Sequence, residues 1–193
     1  GVDEAGRGPL AGPVLAVALV FHDLSQKDIS LLQNIKDSKQ LTSRQRENIY
    51  NSIVNHSKIQ WGIGKVTESV IDRINIYEAT RLALKQAVHD LEKKLNSQLD
   101  SIVIDGNMTL DISIPQISIV KADERILSCA AASIIAKVKR DGIMDEYHKK
   151  YPLYGFNEHK GYGSTHHMKS ILKHGPCPIH RKSFSPIKEG LVL

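Results

Sequence analysis

At 193 residues and 41% hydrophobic, the chain has enough apolar material for one compact domain and too little length for two independent enzymes. Charged residues at 24% exclude a disordered tail protein, and no apolar run approaches the ~20 residues of a membrane span. Cys129 and Cys177 lack the spacing of a zinc site or a disulfide framework, and no secretory leader precedes the first strand, so a soluble protein of a reducing compartment, the cytoplasm, is expected.

Val2 to Glu4 and Val14 to Phe21 read as strands joined by 5–13, a stretch too rich in Gly and Pro for regular structure. Thr42 and Gln45 have the spacing of a capping box and open a helix to about Val54. Over 58–66, Ile59, Trp61, Ile63 and Lys65 alternate with Gln60, Gly62 and Gly64, as a strand requires. Ile76, Ala79, Ala83, Leu84, Ala87, Val88, Leu91 and Leu95 keep helical spacing. Ser101 to Asp105 is a short buried strand stopping at Gly106, and Ile117 to Val120 is another. From Ala122 the period is again helical, with a small-residue stripe of Ala130, Ala131, Ile134, Ile135 and Val138. One more helix is expected over 165–173.

The sum is an α/β pattern, a mixed sheet flanked by helices. We expect one domain over 1–193, with an α/β core at 1–140 and a basic helical extension at 141–193. Charge is uneven along it: residues 1–136 carry a net −1 and residues 137–193 a net +6, together with six of the nine histidines. A basic final quarter fits a polyanionic partner, or a solubilising surface.

Four acidic residues sit where strands end or helices begin. Asp3 and Glu4 close the first strand, Asp105 closes another, and Asp123 follows the next and opens the small-residue helix. Strand ends of an open α/β sheet are where sites form. If the four converge, their repulsion raises their pKa values unless cations neutralise them, and hard oxygen donors suit Mg²⁺ or Mn²⁺. Each taken alone also fits a turn former or a helix N-terminus. Asp3 and Glu4, adjacent on a strand, point to opposite faces unless the following turn reunites them. Gly6-Arg7-Gly8-Pro9 is either a tight turn with an exposed Arg or a backbone reader of phosphate or sugar, because glycines leave amides open to a ligand.

The run Gly1-Val2-Asp3-Glu4-Ala5-Gly6-Arg7-Gly8-Pro9-Leu10-Ala11-Gly12-Pro13-Val14 resembles the opening signature of ribonuclease HII. The likeness continues through Asp37-Ser38-Lys39, Ile104-Asp105-Gly106, Lys121-Ala122-Asp123 and Ala130 to Val138, then Gly155-Phe156, His159 to Gly163 and His180 to Phe184. The related ribonuclease HIII lacks the Gly-Arg-Gly turn, which is present here.

The resemblance implies a ribonuclease H-like fold. It also implies an endonuclease that cuts the RNA strand of RNA–DNA hybrids and incises 5′ to a single ribonucleotide in duplex DNA. Asp3, Glu4, Asp105 and Asp123 become the catalytic metal ligands, holding up to two Mg²⁺ or Mn²⁺ ions about 3.5–4 Å apart and leaving 5′-phosphate and 3′-hydroxyl ends. Asp141 is a rival for the fourth place; Asp123 is preferred because it follows a strand directly, whereas Asp141 lies ~27 Å further along the same helix. Gly6, Arg7, Gly8 and Tyr162 become the ribonucleotide sensor, reading the 2′-hydroxyl. Ser38, Lys39, Lys137, Arg140, Lys160, Arg181 and Lys182 are expected to contact the nucleic-acid backbone. The partners implied are RNA–DNA hybrid and ribonucleotide-containing duplex, met by a monomer with no membrane; a sliding clamp is not indicated, 187–193 being only a weak hydrophobic tail. A resolvase- or transposase-like nuclease and a non-catalytic hybrid-binding module are the competing classes.

Overall fold

The computed structural model describes residues 1–26, 28, 35 and 42–190. Ser38 and Lys39, and the end of the hydrophobic tail, lie outside them. Five strands form one sheet in the order β3-β2-β1-β4-β5: β1 (Val2–Ala5), β2 (Val14–Phe21), β3 (Ile59–Val66), β4 (Ile102–Asp105) and β5 (Gln116–Ile119). β2 pairs antiparallel with both β1 and β3, whereas β1–β4 and β4–β5 are parallel. The mixed sheet follows from the connections, a short loop between β1 and β2 and a helical crossover before β4.

Alternation along β2 divides the core. Val14, Ala16 and Ala18 pack against helix α2 (Glu68–Leu95), while Leu15, Val17 and Leu19 face the opposite layer. That layer holds α1 (Ser43–Val54) and α3 (Leu127–Lys150). The capping box at α1 is formed, Thr42 accepting from Gln45 N–H while the Gln45 side chain accepts from Thr42 N–H.

β3 forms where the alternation placed it. Both faces are covered, and the glycine face is the tighter: a Cβ on Gly64 would lie 2.0 Å from the Ala83 carbonyl oxygen, and one on Gly62 would lie 2.3 Å from that of Ala87. The glycines and the Ala79–Ala83–Ala87 stripe let α2 lie directly on the strand. The open edge of β3 is closed by the same helix. Ile63 N–H donates to Asp90 and Lys65 N–H to Gln86, while Lys94 Nζ donates to the Trp61 carbonyl.

Two departures matter for the site. Asp123 does not open the α-helix; it lies in a separate 3-10 turn, Ala122–Glu124, and α3 begins only at Leu127. The expected division at 140/141 falls inside α3. Beyond it come α4 (Phe156–His159) and α5 (Thr165–His174), which share a third apolar cluster with Leu10, Ala11 and Met144. Ile187 of the supposed tail is buried in that cluster. Among the described residues no helix is long and apolar enough to cross a membrane.

A chain of buried imidazoles fastens this end. His167 Nδ1 lies 2.8 Å from the Tyr162 carbonyl and must donate to it; in the neutral ring its Nε2 then accepts from His180 Nε2–H at 3.0 Å. His180 Nδ1 then accepts from Cys177 N–H at 2.8 Å. Every nitrogen has a partner when both rings are neutral, and His180 Nδ1 also lies 3.2 Å from the Cys177 carbonyl.

Gly64→Ala should lose about 1–3 kcal/mol in urea unfolding, because backbone blocks the new methyl. Gly142→Ala in α3, where a Cβ meets nothing within 4 Å, should be neutral or gain up to about 1 kcal/mol. Burial pushes both His167 and His180 down to about 4, below the ~6.5 of an unfolded histidine. The unfolded chain takes up protons first, so this stabilisation is complete above pH ~6.5 and is lost as pH falls towards 4. Urea midpoints should decline across that span; a flat profile would show that the pair is not neutral in the fold.

Candidate active site

Parallel pairing sets Val2 of β1 opposite Ile104 of β4, so the next residues, Asp3 and Asp105, stand side by side, Asp105 at the end of β4 and Asp3 inside β1, which runs on to Ala5 past the expected end. Both strands turn this position towards α3, where Ser133 hydrogen-bonds the Asp3 carboxylate. After β5 the chain reverses through Lys121, whose left-handed backbone (φ 60°) leads into the 3-10 turn carrying Asp123. The turn is tied back to β4 by Ala122 N–H, which donates to Asp105 Oδ1 at 2.6 Å. One oxygen each from Asp3, Asp105 and Asp123 consequently lies within 4.8 Å of the others. Asp3 and Asp123 are buried and Asp105 is half-buried.

Glu4 does not join that group, as the pleat dictates. Its Oε1 accepts from Arg7 Nη1 at 3.3 Å. Burial, then the charges of Glu4 and Asp105, hold the Asp3 carboxyl well above the usual carboxylate range. Burial also raises Glu4, against the pull of Arg7. Three hard oxygens drawn together, with no imidazole or thiolate among them, fit a divalent cation of the Mg²⁺ or Mn²⁺ class, which would relieve their repulsion. Asp141 stands apart from the group and pairs with Lys137 at 2.8 Å.

Beside the carboxylates opens a cavity of about 450 Å³, walled by Glu4, the Gly6–Gly8 turn, Ser133, Lys137 and Tyr162. Gly6 has φ +97°, a backbone that side chains resist. A Cβ on Gly8 would stand 3.6 Å from the Tyr162 ring, so turn and ring are close neighbours on the cavity wall. Tyr162 is 47% exposed, a large aromatic presented to solvent at the cavity mouth. Arg46, from the first turn of α1, and Ser133 also line it. Neither was among the expected site residues. Ser133 lies within the matched run 130–138, but nothing local distinguishes Arg46 from a solvated helix residue.

The expected backbone-contact residues divide. Lys137 lies on the cavity wall, 6.0 Å from the Tyr162 ring centroid. Lys160 is ion-paired with Asp145, and Lys182 is exposed. Arg140 and Arg181 are 1% and 0% exposed and their guanidinium groups donate to backbone carbonyls, although Arg140 also lines the cavity. The physical reason is the loop between β1 and β2, which has few ladder partners for its carbonyls and so takes donors from enclosed side chains.

The sequence profile described as Ribonuclease HII matches residues 1–187. Ribonuclease HII of Lactobacillus delbrueckii subsp. bulgaricus is 45% identical over 193 residues, which is 100% of this chain and 71% of that protein. That of Acetivibrio thermocellus is 50% identical over 185 residues, 96% of this chain and 68% of the relative. Among solved structures, the ribonuclease H2 from Pyrococcus horikoshii OT3 superposes with a TM-score of 0.77 at 28% identity, covering 98% of this chain and 94% of the other. A Bst-RNase HIII in complex with Mn²⁺ shares the fold, with a TM-score of 0.76 at 18% identity over 98% of this chain and 68% of that one. The mixed five-stranded sheet is thus a ribonuclease H-like fold, and the chain, a metal-dependent ribonuclease, belongs to the ribonuclease HII family.

Proposed function

We propose that the protein hydrolyses the RNA strand of RNA–DNA hybrids and incises 5′ to single ribonucleotides embedded in duplex DNA, leaving 5′-phosphate and 3′-hydroxyl ends. The observation that carries this reading is the meeting of the Asp3–Asp105–Asp123 oxygens beside a cavity walled by a glycine turn and an exposed tyrosine. Asp3, Asp105 and Asp123 hold the divalent cation, Mg²⁺ or Mn²⁺, and Glu4 completes the acidic set from the cavity side. Bound there, divalent cations supply an activated water for in-line attack on the phosphate and charge stabilisation for the departing 3′-oxygen.

The chain's own residues select the nucleotide. The Gly6 and Arg7 carbonyls both accept from Arg181. In a trans peptide the C=O and the following N–H point opposite ways. The N–H groups of Arg7 and Gly8 therefore face away from Arg181, towards the side that lines the cavity. Two successive amides so aligned form a concave donor pair suited to a hydroxyl or phosphate oxygen. The Tyr162 ring supplies a stacking face for the adjoining sugar. Arg7 and Lys137 add positive charge for the flanking phosphates, positioning the strand without reading its sequence. The protein works as a cytoplasmic monomer in this reading.

The deciding assay is cleavage of a DNA duplex containing one ribonucleotide, with product ends mapped in Mg²⁺ and in Mn²⁺. Cutting of all-DNA branched substrates in its place would overturn the proposal. Asp105→Asn should lower turnover at least about 100-fold while substrate still binds; turnover kept in Mg²⁺ would remove Asp105 from the ligand set. Tyr162→Ala should weaken single-ribonucleotide incision about 5- to 150-fold, the usual range for a lost stacking face. Mn²⁺ affinity should stay unchanged in that variant, and a parallel loss of metal would argue against a sensor role.

A further inference from the structure

Among the described residues Arg140 and Arg181 are the two largest side chains that the fold encloses completely, and the proposed chemistry uses neither. Their donors account for much of the loop that carries the sensor turn. Arg181 Nε and Nη2 donate to the Gly12 carbonyl at 2.9 and 2.8 Å, Nη1 to that of Arg7 at 2.9 Å, and Nη2 also to that of Gly6 at 2.6 Å. Arg140 reaches the Pro13, Ala11 and Lys160 carbonyls, each at 3.0 Å. One guanidinium thus closes the loop on itself from Gly6 to Gly12. The other bridges the loop to Lys160, two residues before Tyr162. Leu10 N–H adds a bond to the Gly161 carbonyl at 2.8 Å, and Arg181 N–H donates to that of Leu10 at 2.8 Å.

Burying a cation is costly, so an apolar residue would be the easier occupant of either position, were the carbonyls not there to be satisfied. Burial and the neighbouring Arg140 charge push Arg181 down to about 9, which leaves it charged at neutral pH. A guanidinium is a rigid planar fork, so it dictates the spacing of the carbonyls that it binds; a lysine ammonium holds them only as a point.

We propose that Arg140 and Arg181 are positioning residues that set the ribonucleotide sensor before substrate arrives: Arg181 fixes the shape of the Gly6–Gly8 turn, and Arg140 fixes its distance from Tyr162. This rests on the sensor reading given above. Both act through the backbone carbonyls they bind, Arg140 from the floor of the cavity that it also lines. The carboxylate group is held separately, by β1, β4 and the 3-10 turn, so loosening the clamp leaves metal binding intact.

The test is Arg181→Lys and Arg140→Lys in the full chain, assayed well below each variant's Tm on a duplex with one ribonucleotide, with Mn²⁺ affinity measured by calorimetry. kcat should fall about 10- to 100-fold, as a misplacement near 1 Å does, while KM moves less than about threefold and the Mn²⁺ Kd is unchanged. An unaltered kcat in a folded Arg181→Lys variant would overturn the clamp, and so would a Mn²⁺ affinity that falls in step with kcat. Should the lysine variants not fold, the wild type carries the test by NMR. The Arg7 and Gly8 amides should be as rigid as the sheet without substrate, at order parameters near ~0.85, and a turn that is mobile until substrate binds would refute pre-setting. Wild-type incision at a lone ribonucleotide tests the underlying sensor reading by itself, since the NMR measurement involves no substrate.

Discussion

Parallel pairing of β1 with β4, in the register that sets Val2 beside Ile104, is the contact from which the site is built. It brings Asp3, within β1, beside Asp105 at the end of β4, at a distance that two carboxylates in water would not choose. The ladder holds them there because the apolar faces of both strands are committed to the core on each side. The strain shows in Asp3, whose carboxyl is held well above its ordinary range by burial and by its acidic neighbours. A group so placed is poised to accept a cation, and a metal-dependent hydrolase needs that disposition before substrate arrives.

The third carboxylate depends on a smaller device. Lys121 takes up a left-handed backbone and the chain makes one 3-10 turn before α3 begins, so Asp123 is delivered to the group by a reversal and not by a helix end. The Ala122 N–H bond to Asp105 links this reversal to β4. Two of the three acids are therefore placed by the sheet and the third by a turn that is itself fastened to one of them.

The residues after 140 are fastened to the core. Arg140, from the middle of α3, and Arg181, from the final segment, enclose the loop between β1 and β2, and the His167–His180 pair fastens the Tyr162 carbonyl. The basic quarter of the chain divides its cations by location. Lys137 stands on the cavity wall and Lys182 in solvent, while the arginines with the most donors lie inside.

Much of the architecture was legible in the amino-acid order. The alternation of β2, the capping box at Thr42 and the small-residue stripe of α3 are local patterns, set by the periods of strand and helix, and the ordered motifs carried the family. What the order of residues could not decide was what lies opposite each group once the chain returns. Gly62 and Gly64 showed in the sequence only as one half of an alternation, yet they admit a helix against the strand backbone. Arg140 and Arg181 looked like phosphate contacts because a cation near a basic end is ordinarily solvated. Whether a guanidinium meets water or a carbonyl is settled by contacts more than a hundred residues apart in the chain, such as Arg181 with Gly12. Those contacts exist only in the folded chain, because no local period relates their partners.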